Sequence, residues 1–106
     1  MSICDVLIAV DNVNKDIVSE AIYEANYSVE VCEDQTFFLL SDIETDLSID
    51  KSLMSIQGAL DEIGEKNYSF VRANIVDNSM TITGNPRKFG VKAILKYGVL
   101  KSEELH

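Results

Sequence analysis

Hydrophobic and polar positions alternate along this chain with two periods, and two short runs escape both. Val6-Leu7-Ile8-Ala9-Val10 and Thr36-Phe37-Phe38-Leu39-Leu40 are apolar at nearly every position. A strand with one wet face alternates, so these runs predict strands in the middle of a sheet covered on both sides. Two other segments do alternate. Tyr27, Val29 and Val31 are interleaved with Ser28, Glu30 and Cys32. Val71, Ala73 and Ile75 are interleaved with Phe70, Arg72 and Asn74. These predict half-exposed strands, with Glu33-Asp34-Gln35 as the turn leading into the second apolar run.

The helical period appears between them. From Lys15 to Ala25 the apolar residues Ile17, Val18, Ala21, Ile22 and Ala25 form one stripe behind Asn14 as a cap. Ile49, Leu53, Ile56, Leu60 and Ile63 form a second stripe, begun by Ser48 or Asp50 and ended at Gly64. Ser41 to Ser48 reads as a polar connection. After the strand Tyr68–Val76, Asp77-Asn78-Ser79 turns into a short strand, Met80–Thr83. The last segment fits two periods. Asn85-Pro86 opens a helix that Tyr97-Gly98 would close, yet Val91, Ala93, Leu95, Tyr97 and Val99 also alternate as a strand; the helix is the preferred reading.

The predicted order is βαββαβ, followed by a hairpin strand and a third helix in a single α+β domain. The expectation is ferredoxin-like: an antiparallel sheet with two helices on one face. That topology requires central first and third strands and outer second and fourth strands. The wholly apolar strands are the first and third, which is why it is preferred. Both helices on one face would leave the other face apolar, so either residues 80–100 or a second protomer must cover it. Tyr68 and Phe70 are expected on that second face.

Charge changes the picture more than composition does. The 106 residues are 46% hydrophobic and 25% charged, ordinary for a globular chain. The net charge of −9 is unevenly spread. Residues 1–77 hold sixteen acids and four bases; residues 78–106 hold two acids and five bases. Asp16, Glu20 and Glu24 recur every four residues, so the first helix carries a ridge of like charges that repel one another. With Glu30, Glu33 and Asp34 they form the candidate surface for a basic protein partner.

Catalytic and metal chemistry find little support. The single histidine is His106, and no nucleophile–base constellation can be named. Asp42, Glu44 and Asp46 are spaced like the opening of a calcium loop, but Leu47 replaces its glycine and Leu53 its closing glutamate. Cys4 and Cys32 are not spaced as CxxC and read as small apolar strand residues. Neither a cofactor nor a metal is expected, and the chain is read as a non-enzyme. The acidic body opposes phosphate, which argues against nucleic acid. The absence of a leader pattern or a long apolar run points to a cytoplasmic protein away from membranes. The leading functional expectation is an acidic protein-binding protein: an inhibitor, an immunity-type protein or a nucleic-acid mimic. The alternatives are a self-associating regulatory homodimer and an enzyme or small-ligand binder of a kind the sequence does not reveal.

Overall fold

The structure, a computed structural model, describes residues 3–25, 29–32, 36–44 and 54–104. Its strands are β1 (Ile3–Val10), β2 (Val29–Cys32), β3 (Phe37–Glu44), β4 (Tyr68–Asn74) and β5 (Ser79–Gly84). Its helices are α1 (Lys15–Ala25), α2 (Met54–Ile63) and α3 (Val91–Glu104). The described strands make one antiparallel sheet in the order β2-β3-β1-β4-β5. The chain is therefore an α+β protein, as its patterning requires. The two apolar strands are adjacent in the sheet interior, with Leu7 opposite Leu39 and Ile8 opposite Phe38. β5 pairs with the outer side of β4, so β4 is an interior strand and not the expected edge.

Helices lie on both faces of the sheet, and each face has its own core. On one face, α1 and α2 press Val18, Ala21, Ile22, Ile56, Ala59 and Leu60 against Val6, Ile8, Phe38 and Leu40. On the other, α3 with the turn before it sets Phe89, Ala93 and Leu100 over Leu7, Ala9, Phe37, Leu39 and Val71. This explains runs that are apolar at every position: consecutive residues feed opposite cores. The C-terminal segment is thus a helix, and it covers the second face.

Three further expectations need correction. Tyr68 and Phe70 belong to the face of α1 and α2, while Ser69, Val71 and Ala73 lie buried on the α3 side. β3 runs on to Glu44 through residues expected to be a polar connection. The register slips there: Val6 pairs with Leu40, but Cys4 pairs with Ile43. The extra residue in β3 reverses the side-chain parity, which returns Ile43 to the α1–α2 core at 4% exposure. Finally, α3 continues through Gly98 to Glu104. Glycine inside a helix costs about 1 kcal/mol, but the turn beyond it buries Leu100 and brings Lys101 to the sheet, and that tertiary gain outweighs the propensity.

The start expected for the second helix at Ser48 or Asp50, the turn at residues 33–35 and the rejected calcium-loop residue Asp46 lie outside the described residues. The Asn85-Pro86 opening is as the sequence implies. The Asn85 side chain accepts a hydrogen bond from the Lys88 backbone N–H at 3.2 Å and donates to the Lys66 carbonyl at 2.9 Å. Its own carbonyl accepts from the Ser69 hydroxyl at 2.8 Å. One residue thereby ties the start of α3 to both ends of the approach to β4. Gly84, just before it, has φ of +90°, a conformation glycine adopts freely, and a Cβ there would collide with the Tyr68 carbonyl oxygen.

Candidate functional site

Three places in this fold gather chemistry: the outer face of α1, a groove beside β4 and β5, and a buried carboxylate under α3.

The inner face of α1 is spent on the core, and Ser55 at the start of α2 donates a hydrogen bond to the Ala21 carbonyl at 3.3 Å. That fixes what points outward. Asp16, Glu20 and Glu24 are all exposed, so the ridge expected from their spacing exists. Glu30 lies apart from it on β2, in register with Leu39, and Glu33 and Asp34 fall outside the described residues. These acids have exposed apolar neighbours that their four-residue spacing alone does not reveal. Val13 is 87% exposed, Tyr23 is 86% exposed, and Ile17 lies at the border of exposure. Positions 16, 17, 20, 23 and 24 of α1, continued by Val13 in the short 3-10 turn just before it, form a stripe half acidic and half apolar at i, i+3, i+4 spacing.

The groove arises because two helices cannot cover five strands. α1 and α2 lie over β1, β3 and part of β4, leaving the β4–β5 side of the same face open. A cavity of about 380 Å³ remains, walled by Gln57, Leu60 and Asp61 of α2 and floored by Tyr68, Phe70, Arg72, Thr81 and Thr83. Strand pairing sets the floor, with Phe70 opposite Thr83 and Arg72 opposite Thr81. Arg72 is half-buried, and among the described residues it forms no salt bridge; nor does Asp61. The Tyr68 hydroxyl is pushed above its ordinary pKa, first by burial and then by the negative charges of Asp61 and Glu65.

The third place is Asp5, which has no exposed surface at all. The Tyr97 hydroxyl donates to its Oδ2 at 2.8 Å, and Lys101 Nζ pairs with the same oxygen at 3.0 Å. Tyr97 and Lys101 are four residues apart on α3, so one helix face supplies both groups. A buried carboxylate is tolerated only with such company. Lys88 makes a second tie, to Asp11 at 2.9 Å, but both partners are well exposed and such pairs contribute little.

Cys4 adjoins Asp5 on the opposite face of β1 and is fully buried. Burial pushes its thiol up; the hydrogen bond and charge of Arg72 pull it back only in part, and the Asp5 charge adds to the rise. The thiol is thus an inert core group, not a nucleophile. An unfolded thiol ionises near pH 8.5. The stability contributed by this neutral thiol is whole below that value and is lost as pH rises through the higher folded value. Tyr68 acts in the same direction nearer pH 10. The urea midpoint should therefore fall as the solution is made alkaline, and Cys4→Ala should flatten the first part of that fall. A midpoint that rises through this range would contradict the assignment.

Among the described residues no three His, Cys, Asp or Glu side chains come together as a metal site, and no helix is long and apolar enough to cross a membrane. No family model, curated protein or solved structure matches the chain.

Proposed function

We propose that this chain is a small acidic protein-binding protein, of the inhibitor, immunity-type or nucleic-acid-mimic kind, that docks on a basic partner through the outer face of α1. The frame we assign to it is ferredoxin-like, supported by the adjacency of β1 and β3 in the sheet interior and by the βαββαβ order of the first six elements. The observation that carries the function is the mixed stripe of Val13, Asp16, Ile17, Glu20, Tyr23 and Glu24. A face that serves only solubility gains nothing from an exposed tyrosine, valine and isoleucine grouped among its acids. An interface uses both: aromatic anchors hold the complex, while surrounding charge steers encounter and rejects wrong partners.

The test is affinity capture from the native cell followed by association kinetics on the captured partner. The partner should be basic, and its association should slow as salt rises. The paired change Glu20→Lys with Glu24→Lys should cut the association rate about tenfold at low salt. It should leave the fold intact, since it turns the Asp16–Glu20 repulsion into an attraction and leaves one like-charged pair on α1 in place of two. Tyr23→Ala should act on dissociation instead, by tenfold or more, as a lost anchor worth about 2 kcal/mol would. Association rates at low salt that ignore the charge reversal would discard the proposal.

A second reading, a homodimer, is favoured by one observation. Val91, Leu95 and Val99 are exposed at successive fourth positions on the outer side of α3, a stripe suited to a second helix. The sheet-to-sheet dimer loses its motive, because α3 occupies that face. Light scattering that gives a monomer mass at every concentration would remove the homodimer altogether.

A further inference from the structure

The groove beside β4 and β5 is polarised along its length. Its floor residues Tyr68, Phe70 and Arg72 are alternate residues of one strand, so they lie in a row on one face. Tyr68 marks the acidic end. β4 begins there directly after the Glu65–Asn67 turn that follows α2, so Asp61 in the last turn of α2 lines the groove near that end. The charges of Asp61 and Glu65 both act on the Tyr68 hydroxyl. Arg72 marks the cationic end, and Phe70 supplies an apolar middle. Tyr68 and Arg72 are four residues apart, which spans about 13 Å of extended strand.

Each end bears a charge left without an ion partner among the described residues. Arg72 is half-buried, and the titratable group it acts on along β1 is the Cys4 thiol, a weak acceptor that leaves its charge uncompensated. Arginine's planar fork suits a carboxylate, which it can hold by two parallel hydrogen bonds. Asp61 on the facing helix suits an ammonium. A simple anion fits poorly, because it would enter a protein of net charge −9 and meet Asp61 in the same groove. A molecule carrying both charges feels no net repulsion and satisfies both ends. The volume of about 380 Å³ lies within the usual range for small-molecule sites.

We propose that this groove binds a short peptide with free termini. Its ammonium meets Asp61, its carboxylate meets Arg72, and an apolar side chain rests on Phe70. A tripeptide spans about 10 Å when extended, enough to reach both ends once the side chains of Arg72 and Asp61 lean inward. A single amino acid, with its two charges on neighbouring atoms of one carbon, does not. The Thr81 and Thr83 side chains form the β5 half of the floor, where the Thr81 hydroxyl can donate to or accept from the peptide's own amide groups. The Thr83 hydroxyl, which donates to the Phe70 carbonyl at 3.5 Å, can still accept. This site is separate from the outer face of α1, and neither proposal depends on the other.

The test is calorimetric titration, with backbone amide NMR shifts followed in parallel, using Ala-Phe-Ala, its N-acetylated form, its C-amidated form and free phenylalanine. The unblocked tripeptide should bind at least about tenfold more tightly than each blocked form and than phenylalanine, and should shift the amides of Phe70, Thr81 and Thr83. Asp61→Asn, a change at an exposed position that the fold should tolerate, should abolish the penalty for acetylation while keeping the penalty for amidation. Arg72→Met should do the reverse. Equal affinity for all three peptides, a penalty from one blocking group only, phenylalanine binding as tightly as the tripeptide, or unmoved β4 and β5 amides at millimolar peptide would each overturn the proposal.

Discussion

Lys101→Met should destabilise the protein by about 2–3 kcal/mol, because it removes the counter-charge of a carboxylate that water does not reach. Breaking a fully buried ion pair from one side costs roughly 3–5 kcal/mol. The lower figure applies because the Lys101 side chain is 31% exposed and because Tyr97 still donates to Asp5. The informative comparison is the double change. Asp5→Leu with Lys101→Met removes both charges, and an apolar pair of similar size is often neutral or better. The double variant should therefore recover most of the loss in urea denaturation, and a cycle with the two single variants should show coupling above about 1 kcal/mol. Additive effects would mean that Asp5 and Lys101 do not depend on each other. Such a result would shift the fastening of the last turns of α3 to Leu100 and the Tyr97 hydrogen bond.

That cluster also shows where the sequence stops being informative. The apolar runs at 6–10 and 36–40 made a doubly covered, antiparallel centre legible, since side chains that alternate between two faces must all be apolar when neither face is wet. The stripe on α1 was legible for the same kind of reason, and its ends at Lys15 and Ala25 match the observed helix. The parity of β3 was not. A single extra residue between Leu40 and Ile43 moves Ile43 to the same face as Leu40, and no local residue preference announces a bulge.

The candidate sites divide along the same line. Asp16, Glu20 and Glu24 are one helix-period apart, so their common ridge follows from local geometry. Asp5 and Lys101 stand at opposite ends of the chain, and only tertiary packing joins them. A signal did exist: Asp5 directly precedes a strand segment buried on both sides, so a cation had to be found for it. Lys88, Lys92 and Lys96 recur every four residues before the expected helix end at Gly98, whereas the partner is the lysine one turn beyond it. The groove was equally hidden. It depends on how far α2 reaches across the sheet, which the pattern of α2 alone does not determine.

The two-faced sheet makes its sharpest prediction at the adjacent residues Phe37 and Phe38. Phe38 is 1% exposed, sits opposite Ile8, and packs between the sheet and the α1–α2 pair. Truncating a buried phenylalanine in a closed core costs roughly 3–5 kcal/mol through lost burial and the cavity left behind. Whole-domain stability is only about 5–15 kcal/mol, so Phe38→Ala should bring the protein near the edge of unfolding. It should speed hydrogen exchange throughout the sheet and its helices. Phe37→Ala removes the same atoms one position earlier, but into the other core. Phe37 borders a surface depression lined by Lys92, Leu95, Lys96 and Val99, where long side chains can settle and water can enter. The cost should be smaller by at least about 1 kcal/mol, because a site that can relax retains less of its cavity. Its exchange signature should be local, with α3 amides opening faster while α1 and α2 keep their protection. Equal losses with the same exchange pattern would show that the two layers unfold as one body. Separate patterns would show that α3 is a cover fastened over an independently stable sheet.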